Sequence, residues 1–380
     1  SRRRHTRYKD WSRGLGDVYK RQFYSGTDAS GQPKDAMVKV GPSFALANES
    51  GTGPYTVTER EQGVKLVLDR FADYWDTASP GNVDRIVLAP IKEDATRVAA
   101  LLSGDVDFIS PVPPQDFKRI EKDPKVNLFT YPGGRIITLQ LNQKRRPEFR
   151  VAKVRQAIVH AINNEGIVKK IMKGTATPAG QQSPKGYAGY NAELRPRYDL
   201  QKAKALMANA GFANGFECTM IAPNNRYVND EKIAEAVVGM LAKIKIKVNL
   251  KTMPKAQYWD EFDAQVADIQ MIGWHSDTED SGNFSEFLIM CPDKETGYGQ
   301  YNSGNYCNPE VDRLTLAAQS ETDLNKRSAM LQQIEQILYD DAAFVPFHWQ
   351  NHSYGAKKNV GVAPIINTMN FPYFGDIVVK

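Results

Sequence analysis

The sequence is poor in the residues and motifs that mark the common enzymes. Its 380 residues include three cysteines and five scattered histidines. The patterns GxSxG, HExxH, the P-loop and a GxGxxG between a strand and a helix are all absent, which excludes the familiar serine hydrolases, zinc proteases and nucleotide-binding folds. No uninterrupted apolar run reaches about 18 residues, so no membrane span is expected.

A net charge of one sign is also lacking outside the first residues. Residues 1–22 hold eight Lys or Arg and two Asp, whereas the other 358 residues carry 41 basic and 42 acidic side chains. The segment has no signal-peptide core and resembles a translated adapter in GLGDVYKRQ, so we interpret it as a non-native or disordered basic tail. The alternative is a nucleic-acid-binding arm, but its aromatics, Tyr8, Trp11 and Tyr19, are too few for a stacking platform. We expect no nucleic-acid partner.

The few cysteines are nevertheless informative. Cys291 and Cys307 enclose a polar loop rich in Gly, Tyr and Asn, a pattern that predicts a disulfide and therefore an oxidising compartment. Their spacing fits neither a zinc pattern nor a redox CxxC. Cys218 lies in an apolar strand-like run and is interpreted as a buried thiol.

What is present is a regular alternation of strand-like and helix-like segments. A length of 380 residues leaves room for two lobes, because single cores rarely grow past about 250 to 300 residues. Turn residues at 51–54 precede a predicted hairpin, and one long helix is predicted over 151–173. The remaining pattern predicts an α/β lobe with a substantial parallel component, from strands at 135–142, 217–222, 247–252 and 268–274 and helices at 200–210, 230–244 and 255–265.

A ligand site is suggested where the strand at 268–274 ends in Gly273 and Trp274. The loop that follows carries Asp277, Glu279 and Asp280, and an aromatic ring beside carboxylates suits a cationic group. The alternative interpretation is a solvated acidic turn. A glycosidase-like acid pair is a weaker alternative, because no second, separated carboxylate with a supporting motif is evident.

Five motifs, in order, resemble the family-5 solute-binding proteins of ABC importers, the dipeptide, oligopeptide and nickel class. The resemblance extends from about residue 44 to residue 380. It implies an α/β, two-lobed periplasmic-binding-protein-like fold (type II, cluster C-like) that is N-terminally truncated and lacks the N-terminal strands and extra domain. The motifs are GTGPY at 51–55, LDRFADYW at 68–75, ATRVAALLSGDVDFI at 95–109, VAKVRQAIVHAINNEGIV at 151–168 and GW...D...NF at 273–284.

The resemblance also implies an organisation and a function. After the tail at 1–22, lobe I is expected at 23–135 plus 353–380 and lobe II at 136–352. The implied protein is a monomeric, extracytoplasmic component of an ABC transporter. It is expected to capture a peptide or peptide-like solute between two lobes and deliver it to the permease subunits, without catalysis and without a cofactor.

By the same resemblance, Asp277 pairs with the α-ammonium of a peptide and Arg226 holds its carboxylate, because an unmatched buried charge is costly. Amide donors at the N-terminus of the helix after Arg226 are expected to assist it. Trp274 is a pocket wall and Tyr227 stacks on or hydrogen-bonds to the ligand. Gly134 allows a close approach of ligand backbone beside Arg135.

Each of these roles has a plainer alternative. Trp274 could be a core residue that seals a hinge, Arg226 an exposed loop arginine, and Gly134 part of a simple turn.

Two further ligand classes stay open within the resemblance, a metal chelate such as nickel and an opine-like solute. His275, His348 and His352 could approach one another near a hinge, but they lack the helical i,i+4 spacing of a metal pair. No metal site is therefore expected. A carboxylate-dependent hydrolase is the alternative outside the binding proteins.

Overall fold

The structure is a computed structural model that describes residues 26–29, 31–34, 44–367 and 370–380. The predicted basic tail at 1–22 lies outside the described residues. The chain divides by packing into two compact units. Of the described residues, unit 1 comprises those up to Asp107 together with Ala356–Ile366 and Pro372–Lys380, and unit 2 comprises Phe108–Gly355 and the described part of 367–371.

Unit 1 is built on a small antiparallel sheet. Strands β1 (Tyr55–Glu61), β2 (Lys65–Arg70) and β3 (Arg85–Leu88) pair in the order β1-β2-β3. The hairpin predicted from the turn residues at 51–54 is therefore present. The short helix α1 (Phe44–Ala47) precedes the sheet, and α2 (Asp94–Ser103) follows it and ends at Gly104, whose φ of 89° suits a glycine C-cap.

Unit 2 contains a mixed seven-stranded sheet with the path β4-β10-β5-β9-β7-β8 and with β6 paired to β10. The strands are β4 (Phe108–Ile109), β5 (Val126–Leu141), β6 (Ala176–Pro178), β7 (Phe216–Pro223), β8 (Ile246–Met253), β9 (Ile269–Trp274) and β10 (Val345–Lys357). The last two residues of β10 belong to unit 1. In unit 1, β11 (Val360–Gly361) pairs with β12 (Val378–Val379). Strand β7 is parallel to both β8 and β9, whereas β5 is antiparallel to β9.

Helices cover this sheet on both faces. Alternate residues of β5 point to opposite sides, so Ile137 and Leu139 enter one core while Ile136 enters the other. The helices of unit 2 are α3 (Phe117–Glu121), α4 (Ala152–Ala161), α5 (Asn164–Gly166), α6 (Leu200–Asn209), α7 (Asp230–Ala242), α8 (Lys255–Asp263), α9 (Ser281–Leu288), α10 (Pro309–Ser320) and α11 (Leu324–Asp341). No helix of the described part of the chain has both the length and the apolar character needed to cross a membrane.

The single helix predicted over 151–173 is broken. Helix α4 ends at Ala161, Ile162 is extended, and a π-helical turn at Ile167–Ile171 follows α5. The Asn163 side chain accepts the Gly166 N–H at 2.7 Å and starts the second segment. Asparagine side chains compete for backbone hydrogen-bonding groups in this way. The prediction of a single helix rested on the spacing of apolar residues, which does not reveal the effect of a polar side chain.

The packing boundary differs from the predicted lobe boundary. Residues 108–135 belong to unit 2, whereas the sequence analysis placed them in lobe I. The reason is that β5 runs without interruption from Val126 to Leu141, so its first half stays with the large sheet. Packing does not test which residues move together on ligand binding, and the predicted lobes stay a prediction.

Cys291 and Cys307 are joined by a disulfide, while Cys218 is a buried free thiol. We predict that the double variant C291S/C307S lowers the free energy of unfolding by ~3 kcal/mol. Without the disulfide, the unfolded chain regains the conformational entropy that closure of a loop of this size had removed. Urea unfolding measures the change. The double variant should be insensitive to reductant, and equal stability of the two proteins would contradict the prediction.

Candidate functional site

Three strands of unit 2 bring the predicted ligand-binding residues to one edge of the sheet. Because β7 and β9 are parallel, their carboxyl ends lie at the same edge. Arg226 follows the end of β7, and Trp274 is the last residue of β9. The antiparallel register of β5 sets Ile136 opposite Trp274, so the preceding Arg135 is at this edge too.

Tyr227 anchors the loop after β7. Its ring is buried, and its hydroxyl oxygen accepts the Gly273 N–H at 2.8 Å. A side chain at Gly273 would meet that ring at 2.7 Å, so glycine is required there by packing. The Arg226 guanidinium lies over the Tyr227 ring, 5.0 Å from its centroid. Tyr227 therefore holds Arg226 in place, and direct contact of Tyr227 with a ligand stays a prediction.

The N-terminus of α7 is already occupied by a carboxyl group. The buried Asp230 accepts the backbone N–H groups of Arg226 and Tyr227 at 2.8 and 2.9 Å, and that of Glu231 at 3.0 Å. Burial raises the pKa of Asp230, although these donors oppose the shift. Of these three amides only that of Glu231 belongs to α7, so the expectation that the N-terminus of this helix offers amide donors to a ligand stays a prediction.

Three cations influence one another at this edge. Burial lowers the pKa of Arg135, and the positive charge of Arg226 lowers it further, while Tyr227 and Asp277 act in the opposite direction. The pKa of Lys255 is lowered by burial and by the charges of Arg226 and Arg135. Lys255 is the first residue of α8 and was not selected from the sequence. Arg135 and Arg226 are half-buried, whereas Lys255 is exposed.

The three acids of the loop after Trp274 have different surroundings. Asp280 is buried, caps the N-terminus of α9 and forms an ion pair with Arg327 at 2.9 Å. Asp277 has a side chain that is 72% exposed, with one oxygen 3.5 Å from His275 Nδ1. Glu279 is exposed. Asp280 is therefore structural. The loop does not provide the two carboxyl groups with separate roles, one as acid and one as nucleophile or base, that a glycosidase needs.

Trp274 combines both of its predicted roles. Its indole N–H donates to Asn283 Oδ1 at 2.8 Å, and its rings pack against Phe287 and Tyr301 at centroid distances of 5.3 and 5.4 Å. It is half-buried and also lines a small cavity within unit 2. Packing thus fixes its orientation, and part of its ring system borders this cavity.

Gly134 borders the same cavity. A side chain there would meet the Tyr187 hydroxyl at 2.3 Å, so in this structure the glycine makes room for a tyrosine. A close approach of ligand backbone to Gly134 stays a prediction.

Sequence reasoning missed the polar wall of this cavity. Ser281 Oγ and Gln182 Nε2 are buried and have no hydrogen-bond partner among the described residues. Gln182 and Ser183 lie in the long loop between β6 and α6, which has no periodicity. The run of amide and hydroxyl side chains in GQQS at 180–183 is equally typical of an exposed loop, so the sequence offered no signal for this wall.

Behind that loop lies a buried carboxyl group on α11. Glu335 accepts the backbone N–H groups of Gln182 and Ser183 at 3.1 and 3.0 Å. Burial raises its pKa to about 7, although these donors oppose the shift. Glu335 therefore positions one wall of the cavity. Its carboxyl group keeps its proton to a higher pH than an exposed glutamate does.

This raised pKa predicts a pH-dependent stability. Glu335 keeps its proton in the folded state up to about pH 7, whereas an unfolded Glu loses its proton above about 4.3. Its contribution to stability therefore declines as pH rises through this window. We predict that the stability of E335Q relative to the parent improves by ~2 kcal/mol between about pH 5 and pH 7.5, measured by urea unfolding.

The comparison must use the difference between the two proteins. The pKa of His348 is lowered by burial to about 3, so its contribution has the opposite slope below about pH 6.5. That contribution is common to both proteins and cancels. A stability difference that does not change with pH would contradict the assignment to Glu335.

The three candidate histidines do not assemble a metal site. His348 is fully buried and its ring nitrogens have no partner among the described residues. His352 follows four residues later on the same strand, which places the two about 13 Å apart, too far to share an ion. Within the described chain, the one group with ligand-like spacing contains Asp312 and the two disulfide-bonded cysteines, whose sulfurs are bonded to each other.

Comparison with known proteins now identifies the family. A sequence model described as "Bacterial extracellular solute-binding proteins, family 5 Middle" matches residues 27–295. The chain belongs to this family. The dipeptide-binding protein of Escherichia coli (strain K12) is 29% identical over 313 residues, which cover 81% of this chain and 57% of that protein. Heme-binding protein A of Haemophilus influenzae is 29% identical over 341 residues, 88% of this chain and 59% of that protein.

A solved structure supports the same family assignment. The periplasmic binding protein DppA from Helicobacter pylori, solved with the peptide STSA, superposes with a TM-score of 0.77 at 26% identity over 87% of this family-5 chain and 63% of that one. The predicted α/β periplasmic-binding-protein fold is thereby confirmed. This family-5 chain spans less than two thirds of the length of each of these three relatives.

Proposed function

We propose that this family-5 chain is the solute-binding component of an ABC importer, and that it captures a peptide or peptide-like solute for delivery to the permease subunits. The observation that carries the proposal is the presence of Arg226, Arg135 and the carboxylate of Asp277 at one sheet edge. A peptide is a zwitterion, so its two ends need groups of opposite charge. Peptide-binding relatives support this choice of ligand.

In this proposal Arg226 binds the peptide carboxylate. Tyr227 fixes the guanidinium from below, and Arg226 Nε is buried without a hydrogen-bond partner among the described residues. A guanidinium binds a carboxylate through two parallel hydrogen bonds, which a lysine does not provide. A bound carboxylate would therefore satisfy a donor that the protein leaves open.

Asp277 binds the peptide ammonium in this proposal. Its exposure leaves it accessible, and the neighbouring Trp274 offers a ring face to a cation. Asp280 is unsuitable, because Arg327 and the N-terminus of α9 already use its oxygens.

The proposal extends to the cellular setting. The family is described as extracellular, and the Cys291–Cys307 disulfide fits an oxidising compartment. We therefore propose that the chain functions as a monomer outside the cytoplasm, and that it binds its solute without converting it.

A second candidate ligand is an opine-like solute. The binding protein AgaA, solved with agropinic acid, has a TM-score of 0.75 at 27% identity over 86% of this chain. The two arginines at the sheet edge suit a carboxylate-bearing solute of this kind equally well. A competition assay between a dipeptide and an opine decides which ligand binds more tightly.

The charge assignment predicts the effect of two substitutions on the affinity for a dipeptide such as Ala-Ala. R226A is expected to weaken binding by ~2–5 kcal/mol, because it leaves the ligand carboxylate without its partner. D277N is expected to cost ~2 kcal/mol, the lower end of that range, because Asp277 is 72% exposed before binding. Isothermal titration calorimetry on the 380-residue chain measures both.

E279Q is the matched control, since it removes the same charge two residues from Asp277. Its affinity should equal that of the parent. Parent-like affinity in both R226A and D277N, or equal losses in all three variants, would contradict the assignment.

Absence of catalysis is tested separately. Dipeptides are expected to raise the unfolding temperature of the chain by mass action, while prolonged incubation leaves peptides and glycosides intact by mass spectrometry. Steady, protein-dependent product release that is lost in D277N would favour the hydrolase alternative.

A further inference from the structure

A carboxyl group lies beside the Cys291–Cys307 disulfide. Asp312, in the first turn of α10, accepts the Cys291 backbone N–H with Oδ1 at 3.2 Å. The two cysteine sulfurs and one carboxylate oxygen of Asp312 all lie within 4.8 Å of one another. Ligand atoms around one tetrahedral zinc ion lie about 3.5 Å apart, because Zn–S and Zn–O bonds are about 2.3 and 2.1 Å long. Small side-chain movements therefore suffice to place all three atoms around one ion once the sulfurs are no longer bonded to each other.

The loop between the cysteines is held closed by more than the disulfide. Asn302 is buried, and its side-chain amide donates to the backbone carbonyl groups of Met290 and Tyr306 at 3.0 and 2.7 Å. These two residues immediately precede Cys291 and Cys307. The same amide thus fastens both ends of the loop. We therefore expect the two sulfurs to stay close to each other when the disulfide is reduced.

Helix α10 positions Asp312 independently of the sulfurs. The side chain of Asn308 caps this helix by accepting the Glu310 N–H at 3.0 Å, so the turn that carries Asp312 is ordered locally. The hydrogen bond from Cys291 uses one of the two carboxylate oxygens. Cys307 is exposed, whereas Cys291 and Asp312 are half-buried, so an ion reaches the three side chains from solvent without opening a core.

The donor set favours one class of metal. Two thiolates with a carboxylate suit Zn²⁺, whereas Mg²⁺ and Ca²⁺ prefer oxygen ligands alone. We propose that the reduced form of this loop is a Zn²⁺ site, in which Cys291, Cys307 and Asp312 are the protein ligands and a water molecule completes the tetrahedron. The disulfide form does not bind an ion in this way, because its sulfurs are bonded to each other. The oxidation state of the two cysteines thus decides whether the site exists.

Opening the site requires a reductant of the dithiol class. One thiolate of the dithiol attacks a sulfur of the disulfide, and its second thiol completes the exchange. The dithiol becomes a disulfide, while the two cysteines gain two electrons and two protons. Zn²⁺ then replaces both protons, which pass to solvent. An oxidising compartment keeps the disulfide form, so the zinc form belongs to chains that such a dithiol has reduced.

The test compares Zn²⁺ binding by the 380-residue chain before and after reduction with dithiothreitol, which is removed by anaerobic gel filtration. Isothermal titration calorimetry should detect one Zn²⁺ per reduced chain, with an affinity about a hundredfold or more above that of the disulfide form. Bound Zn²⁺ should also protect Cys291 and Cys307 from iodoacetamide, as measured by peptide mass spectrometry. C291S/C307S, treated identically, should bind Zn²⁺ no better than the disulfide form.

D312N tests the carboxylate. Its side chain has nearly the same shape and still accepts the Cys291 N–H, but it lacks the negative charge, and reduced D312N should bind Zn²⁺ about tenfold or more weakly. D312E restores a carboxylate and should recover part of the affinity. E310Q is the matched control, because it removes a negative charge from the same turn of α10, and it should bind like the parent. Urea unfolding of the disulfide forms checks that each variant is folded.

Each outcome supports or overturns the inference. Equal Zn²⁺ affinity of the reduced and disulfide forms, or of the reduced parent and C291S/C307S, overturns the site. Parent-like affinity in folded D312N, or an equal loss in E310Q, overturns the assignment of Asp312. If circular dichroism shows that reduction unfolds the chain, Zn²⁺ should restore the fold, and failure to do so overturns the site as well. None of these measurements involves a peptide, so they leave the proposed function untouched.

Discussion

The pairing of β9 with β5 on one side and β7 on the other determines where this molecule can bind a ligand. The parallel pair aligns two carboxyl ends, and the antiparallel pair sets Ile136 opposite Trp274. Tyr227 then fastens the loop after β7 to the backbone of Gly273. These contacts fix the positions of Arg226 and Arg135, whose side chains reach the same edge from different strands.

The electrostatics of the edge follow from this arrangement. Asp230 accepts the backbone N–H groups of Arg226 and Tyr227 in the loop after β7, so these two donors are satisfied within the protein and do not depend on a ligand. In the part of the chain that the structure describes, Arg226 is held by stacking on Tyr227 rather than by an ion pair, and Arg135 is half-buried. A site that leaves cations unmatched gives up some stability for binding energy, as is common where proteins bind charged solutes.

The sequence predicted much of the fold because local patterns agree with the tertiary structure in most segments. The alternation of Ile246, Val248 and Leu250 with polar residues defines a half-buried strand, and such a strand forms here. The break at Asn163 was missed because apolar spacing continues through it, while the side chain that ends the helix is polar and acts locally.

The candidate site was predicted less completely. The loop after Trp274 could be recognised by its composition, but three acids in four residues look alike in a sequence. Burial separates them, since Asp280 is used by Arg327 and the cap of α9, while Asp277 stays exposed. Gly134 was interpreted as space for a ligand, yet in this structure that space holds the Tyr187 hydroxyl.

The sequence by itself therefore determined the family, the α/β class and the position of an acidic loop after a strand, because these depend on patterns of neighbouring residues. Only the tertiary structure decided which charges are unmatched. Arg135 and Lys255 are 120 positions apart in the chain, and their proximity to Arg226 arises from strand order and burial. Coulomb energy depends on distance and local polarity, and neither can be read from a linear sequence.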